Sequence, residues 1–222
     1  MTTENSMIAQ VESLPDMIRG AFKGLDHQIR RLLTTDECYG VKRIVITGCG
    51  DSHMAGEATE LAFEKVAQVP TEPMRANTGG RYAAPYKLSH FPNNPLVIGI
   101  SVSGTVSRTR EAVQLFKQQG LPTVAITANP AGPLGQLCDK VIDCTVPDFP
   151  PAPGVRSYRM SLMALYLLAI RLGEVRDLYS QDEANGMRQQ LLKTADAIEA
   201  TITAVHAKTR QLAEDLASEK SY

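Results

Sequence analysis

The sequence predicts an α/β protein built on a parallel sheet, with long helices at both ends. Three observations predict it. Short β-branched and aliphatic runs alternate with stretches of helical periodicity along the middle of the chain. Two loops rich in serine and glycine, Gly48-Cys49-Gly50-Asp51-Ser52 and Ser101-Val102-Ser103-Gly104-Thr105, each separate a strand-like run from a helix-like stretch. Both termini carry helical apolar spacing.

The elements follow in order. Ile18, Phe22, Leu25, Ile29 and Leu32 repeat at spacings of four and three, one face of a helix, and Pro15 fits its first turn. Val41 to Thr47 reads as the first strand and His53 to Val69 as the helix after it. Glu72 to Ala76 reads as a short second strand, closed by turn chemistry at Asn77-Thr78-Gly79-Gly80. Leu96 to Ile100 is a continuous apolar run, the pattern of a central parallel strand. A helix from Ser107 to Gln119 stops at Gly120, and strands follow at Thr123 to Thr127 and Val141 to Cys144. Right-handed crossovers then put both serine–glycine loops on one edge of the sheet.

The proline-rich stretch Pro147 to Pro153 leads into a helix from Arg156 to about Leu178, apolar on nearly every side and so predicted to be buried. A last helix runs from about Asp182 to Ser218. Its Leu191, Ala195, Ile198, Ile202, Val205, Thr209, Leu212 and Leu216 form a four-three seam. At 1.5 Å per residue it spans roughly 55 Å, against a radius of gyration of about 17 Å for a compact chain of this length. It therefore packs along the side of its own domain or projects toward a partner. The chain divides into a helical extension (1–40), an α/β domain (41–180) and a terminal helix (181–222).

Composition excludes several classes. A formal net charge of -1, from 23 basic and 24 acidic residues, lacks the basic excess of a nucleic-acid binder. Aromatics are 5% with no Trp, which leaves no stacking platform for bases. The longest apolar run, Leu162 to Ile170, is too short for a membrane span, and the N-terminus shows no signal pattern. Cys38, Cys49, Cys138 and Cys144 form no CxxC pair and no metal spacing, which reads as reduced thiols in a cytoplasmic protein. Cys49 stands apart because it lies within the first loop.

The loops carry the chemistry. At the carboxyl edge of an open α/β sheet, free backbone N–H groups and helix N-termini attract anions. A dinucleotide fingerprint would need glycine at His53 and an acidic residue near Asn77, and a phosphate loop of the Walker type needs a lysine that neither loop has. Neither loop forms the G-x-S-x-G of a nucleophile elbow. No cofactor and no metal are expected. What remains is a phosphorylated small molecule held by amides and hydroxyls.

Ile-Thr-Gly-Cys-Gly-Asp-Ser (46–52) and Ile-Ser-Val-Ser-Gly-Thr (100–105) resemble the two signature loops of sugar isomerase (SIS) domains. The stretch 123–130 resembles that family's next strand and turn, and Gly-Val-Arg-Ser (154–157) the opening of its final helix; the likeness runs from about Val41 to Leu172. The resemblance implies a flavodoxin-like, three-layer α/β/α sandwich with a five-stranded parallel sheet that binds phosphosugars. It implies substrate contacts from Gly50, Asp51, Ser52, Ser101, Val102, Ser103, Gly104, Thr105, Val106, Val155 and Ser157. Ser101, Ser103 and the backbone near Gly104 would take the phosphate, Ser52 would face the sugar, and Val155 with Ser157 would close the pocket. The chain departs from the synthase-like pattern at Val106, where a threonine is expected, and at Ala152, where an acid is expected. Arg156 and Arg159 would supply a cation or line a dimer contact.

The implied activity is aldose–ketose isomerisation of a hexose or amino-hexose 6-phosphate, or a related deaminase or deglycase reaction. Isomerisation needs a base between adjacent carbons. In the family's synthase-like branch it comes from a second module or a partner chain, which makes a homodimer or a tandem protein the expected assembly. The internal candidates are Asp51 within the first loop, His53, Glu57 and Glu60 on the helix after it, and His90 in a later loop. The alternative is a non-catalytic module that senses phosphosugars.

Overall fold

The protein is described from a computed structural model, which covers residues 5–88, 95–150 and 152–218. The five aliphatic runs form strands β1 (Ile44–Gly48), β2 (Thr71–Arg75), β3 (Leu96–Ile100), β4 (Thr123–Thr127) and β5 (Lys140–Asp143). They lie in the order β2-β1-β3-β4-β5 and every pairing is parallel. That is the doubly wound, flavodoxin-like order, whose switch point falls between β1 and β3. In register, Gly48 pairs with Ile100 on β3 and with Arg75 on β2, so three strand ends are level.

Period-two alternation explains the layers. Ile44, Ile46, Ile98, Ile100, Val124, Ile126 and Ile142 face one core, while Val45, Val97 and Ala125 face the other side. The first face is covered by α1 (Ser6–Glu12), α2 (Leu14–Arg30), α3 (Thr35–Gly40), α4 (Asp51–Ala62) and, further along the chain, by a long buried helix. The second face is covered by α5 (Ala76–Thr78) with the π-helical stretch Gly79–Leu88, then α6 (Ser107–Gln118) and α7 (Pro133–Leu137). The long buried helix of the first face is α8 (Val155–Val175), whose Met163, Ala164, Leu165, Leu167 and Leu168 are all inaccessible to solvent. The chain ends in α9 (Gln181–Leu216), at 36 residues the longest element.

Two helical expectations change. The helix after β1 ends as an α-helix at Ala62, continues as a π turn over Phe63–Ala67, and stops at Gln68, which takes φ of 51°. Residues 77–80 do not form an open turn. They continue helically, because Gly80 lets the segment press on α6: a Cβ there would stand 2.7 Å from Ala112 Cα. The remaining elements match within a few residues. His90 lies outside the described residues.

The α9 seam serves two surroundings. Ala195 is fully buried, and Leu191 and Ile198 pack on the first core. Beyond Ile202 the same seam is exposed at Val205 and Leu212. An ion network locks the inner half. Arg188, only 4% exposed, donates to Asp26 Oδ1 at 2.9 Å and to Glu174 Oε2 at 2.6 Å. Arg171 also reaches Glu174, and Arg30 reaches Asp26.

Candidate functional site

The site is built where β1 and β3 end. After β1, Gly50 takes φ of 56° and turns the chain into α4, whose first residues are Asp51 and Ser52. After β3, the chain makes a tight turn in which the Gly104 N–H donates to Ser101 O at 3.0 Å. Gly104 has φ of 68°, and a Cβ there would meet Thr127 Oγ1 at 3.2 Å and Asn129 O at 3.3 Å. Only glycine gives that conformation cheaply in that space. The turn is tied to the end of β4: Thr127 Oγ1 donates to Val102 O at 3.2 Å, and Asn129 Nδ2 donates to Ser103 O at 3.2 Å. Ser103 Oγ and Thr105 Oγ1 are 2.8 Å apart, and the Thr105 N–H also donates to Ser103 Oγ. Ser103 is thus held in place while staying exposed.

The third wall is the start of α8. Ser157 Oγ donates to Gly154 O at 3.0 Å, and Ser161 Oγ to Ser157 O at 3.2 Å. Together these segments enclose a cleft of about 370 Å³ lined by Asp51, Ser52, Val102, Ser103, Val106 and Ser157, with Cys49, Tyr158 and Ser161. Ser52 and Ser103 therefore open onto one cavity.

Its electrostatics come from the backbone. The helices that begin at the cleft, α4 at Gly50, α6 at Val106 and α8 at Gly154, have no side-chain cap. Away from the cleft, α3 and α9 carry complete capping boxes, Thr34 with Glu37 and Ser180 with Glu183. Caps satisfy the orphan N–H groups of a helix start. The starts of α2 and α7 also lack side-chain caps, but at the cleft the starts of α6 and α8 carry no acid in their first turns, which leaves N–H donors and positive dipole ends available to an anion, whereas Asp51 already occupies the first turn of α4.

Several sequence-named residues stand elsewhere. Ser101 is 1% exposed and off the cleft wall; its N–H donates to Ile126 O at 3.1 Å, and its hydroxyl is buried with no partner among the described residues. Gly104, Thr105 and Val155 shape the loops behind the lining residues rather than line the cleft. Gly50 and His53 face a neighbouring basin instead. His53 Nε2 lies 3.2 Å from Glu57 Oε1, one helical turn on. Glu60 is on neither wall, and burial together with the charges of Glu64, Glu57 and Glu72 raises its carboxyl above the usual range. Arg156 donates to Ser13 Oγ at 2.6 Å and lies 4.3 Å over the Phe149 ring, and Arg159 donates to Thr194 Oγ1, so both bind neighbouring elements and neither lines the cleft. Tyr158 and Ser161 were not named from sequence. Helical spacing gives the signal for Ser161, one turn beyond Ser157 on the same face.

All four cysteines are unpaired thiols. Burial pushes Cys138 and Cys144 up to about 12, which keeps them protonated, while Cys49 is exposed at the cleft. Among the described residues no group of three His, Cys, Asp or Glu is placed to hold a metal, and no helix is long and apolar enough to cross a membrane.

A five-stranded parallel α/β sandwich with serine–glycine loops at the switch point is the architecture anticipated for one family. Residues 38–171 match the SIS domain, and the chain belongs to that family. The glutamine–fructose-6-phosphate aminotransferase (isomerizing) of Helicobacter pylori is 25% identical over 211 residues, covering 94% of this chain and 34% of that protein. The enzyme of the same name from Thermosynechococcus vestitus is 33% identical over 140 residues, covering 60% of this chain and 22% of the relative. The chain spans about a third of the length of the first of these relatives. The C-terminal domain of glucosamine-fructose-6-phosphate aminotransferase from Francisella tularensis superposes with a TM-score of 0.79 at 16% identity, over 99% of this chain and 61% of that one. Tagatose-6-phosphate ketose/aldose isomerase from Escherichia coli gives 0.64 at 16% identity, over 89% of this chain and 52% of that one. These structural likenesses show the shared fold.

Proposed function

We propose that the cleft binds the phosphate of a hexose or amino-hexose 6-phosphate, and that the chain supplies this half of an aldose–ketose isomerase. The convergence of three uncapped helix starts on one serine-lined cleft carries the reading. A phosphate ester brings about -1.5 to -2 charges at neutral pH. Each helix start contributes about 0.3–1 kcal/mol toward it. Charge-assisted hydrogen bonds from Ser103 and from the first N–H groups of α6 add more. Ser52, Asp51 and Ser157 then face the sugar hydroxyls. The names of the relatives, an isomerizing aminotransferase and a ketose/aldose isomerase, agree with that substrate class.

The base is assigned to a second module or a second copy of the chain. Asp51 is the only Asp, Glu or His lining the cleft among the described residues, and it sits in the first turn of α4, where its charge serves the helix. The same fact favours a second reading, a non-catalytic phosphosugar sensor. In both readings residues 41–180 form the binding domain, flanked by helical segments 1–40 and 181–222, in a cytoplasmic protein acting as a homodimer or beside a second module. Titrating the purified chain with fructose 6-phosphate and glucosamine 6-phosphate, and assaying interconversion, tests this. Binding with turnover supports the isomerase, binding without turnover supports the sensor, and absence of binding overturns both.

A further inference from the structure

Beside the cleft, on the far side of Cys49-Gly50-Asp51, lies a basin of about 700 Å³. It occupies the carboxyl edge of β1 and β2, level with the cleft, because Gly48 and Arg75 pair at the strand ends. Cys49 and Asp51 line both spaces. Three arginines line the basin from separate elements: Arg75 from β2, Arg81 from the π-helical stretch and Arg108 from the first turn of α6. Arg75 is exposed, and its side chain makes no hydrogen bond or ion pair among the described residues. Arg81 and Arg108 share one carboxylate, with Arg81 on Glu111 Oε1 at 2.9 Å and Arg108 on Glu111 Oε2 at 2.6 Å. Three cations thus stand against Glu111 and Asp51 in a chain whose net charge is -1.

His53 stands on the same wall. His53 lines this basin with its side chain only 11% exposed; its Nε2 is beside Glu57, and its Nδ1 is buried with no partner among the described residues. Buried polar atoms in native proteins are ordinarily paired. An anion in the basin would meet the Arg75 guanidinium with Arg81 and Arg108 beside it, the planar forks that recognise phosphate or carboxylate.

We propose that this basin is a second anion-binding site, with Arg75 as its principal contact, taking a phosphate monoester or carboxylate. The group belongs either to the far end of the ligand in the cleft or to a separate anionic effector. The basin is argued from its own residues; only the single-ligand version rests on the cleft holding a phosphosugar.

Equilibrium dialysis of the full chain with labelled inorganic phosphate tests the site. The expected result is two phosphates per chain for the wild type, one for Arg75→Gln, and retention of the basin phosphate in Ser103→Ala. The Arg75 side chain has no polar partner to lose, so Arg75→Gln reads binding rather than stability, and circular dichroism checks it. A phosphate count that is the same in Arg75→Gln as in the wild type overturns the proposal whatever happens at the cleft, and the count lost on Ser103→Ala reports the cleft separately. Titration with hexose 6-phosphate and hexose 1,6-bisphosphate then separates the sources. If one ligand spans both spaces, the bisphosphate binds about tenfold or more tightly, and Arg75→Gln abolishes that advantage. Equal affinities, with two phosphates still bound, assign the basin to a separate effector.

Discussion

Ser103 is the residue on which the proposed site turns. Its hydroxyl is positioned by Thr105 and its carbonyl by Asn129, so little conformational freedom is lost when it takes up a ligand. Ser103→Ala removes one charge-assisted hydrogen bond. It should weaken hexose 6-phosphate binding by about 1–3 kcal/mol, roughly 5- to 150-fold by calorimetry, with the melting temperature unchanged. Gly104→Ala acts through the backbone instead. It forces a Cβ into a left-handed position against Thr127 and Asn129, and should cost about 1–2 kcal/mol of stability along with affinity. At this scale the sequence was readable where chemistry is local. Serines flanked by glycine after an aliphatic run announce a strand-end loop, and Ser52, Ser103 and Ser157 do share a cleft. It was less readable where direction decides. Ser101 looks equivalent to Ser103, yet β3 ends one residue earlier and Ser101 remains buried beneath the turn. Arg156 and Arg159 read as candidate cations because sequence does not say which way the first turns of α8 face.

At the scale of elements, α9 is held by charge as much as by apolar burial. Burial alone would raise the Glu174 carboxyl, but hydrogen bonds from Arg188 and Arg171 hold it below the usual glutamate range. A carboxyl lowered in the folded state adds stability above its unfolded value, about pH 4.3, and loses it as pH falls through the folded value. Docking of α9 should therefore weaken below about pH 4, seen as earlier hydrogen exchange over 184–198 than over β3. Glu174→Gln at neutral pH leaves Arg188 buried with Asp26 as its remaining carboxylate and should cost about 3 kcal/mol in chemical denaturation. The seam of α9 was plain from its four-three spacing. Arg188 was not, because an arginine on a helix normally reads as solvated, and only the meeting of α2, α8 and α9 makes it a buried tie. The π turns at 63–67 and 79–88 were equally hidden, since they arise from how α4 and α6 pack rather than from local preference.

For the whole molecule, the sheet order does the assembling. Alternating strands and helices predicted a parallel sheet with both loops on one edge, and the adjacency of β1 and β3 came only with the flavodoxin-like order that the family resemblance implied. That adjacency, with β2 displaced to the outside, brings two loops fifty residues apart to a single cleft and leaves the β2 edge to form the basin. It follows from crossover geometry among all five strands, which no local pattern encodes. The outer seam of α9, exposed at Val205 and Leu212, belongs to the same scale. If the proposed homodimer pairs along it, sedimentation should give twice the mass of one chain, and Leu212→Asp should return it to one while leaving the cleft's affinity for hexose 6-phosphate intact.

The central claim is that an ester phosphate settles on Ser103 and the uncapped start of α6, in the cleft shared with the starts of α4 and α8. A crystal structure with fructose 6-phosphate tests it most directly. The account predicts phosphorus density within hydrogen-bonding reach of Ser103 Oγ and the first N–H groups of α6, with the sugar toward Ser52 and Ser157. Phosphate density lodged only against Arg75 in the basin, with the serine cleft filled by water, would contradict it.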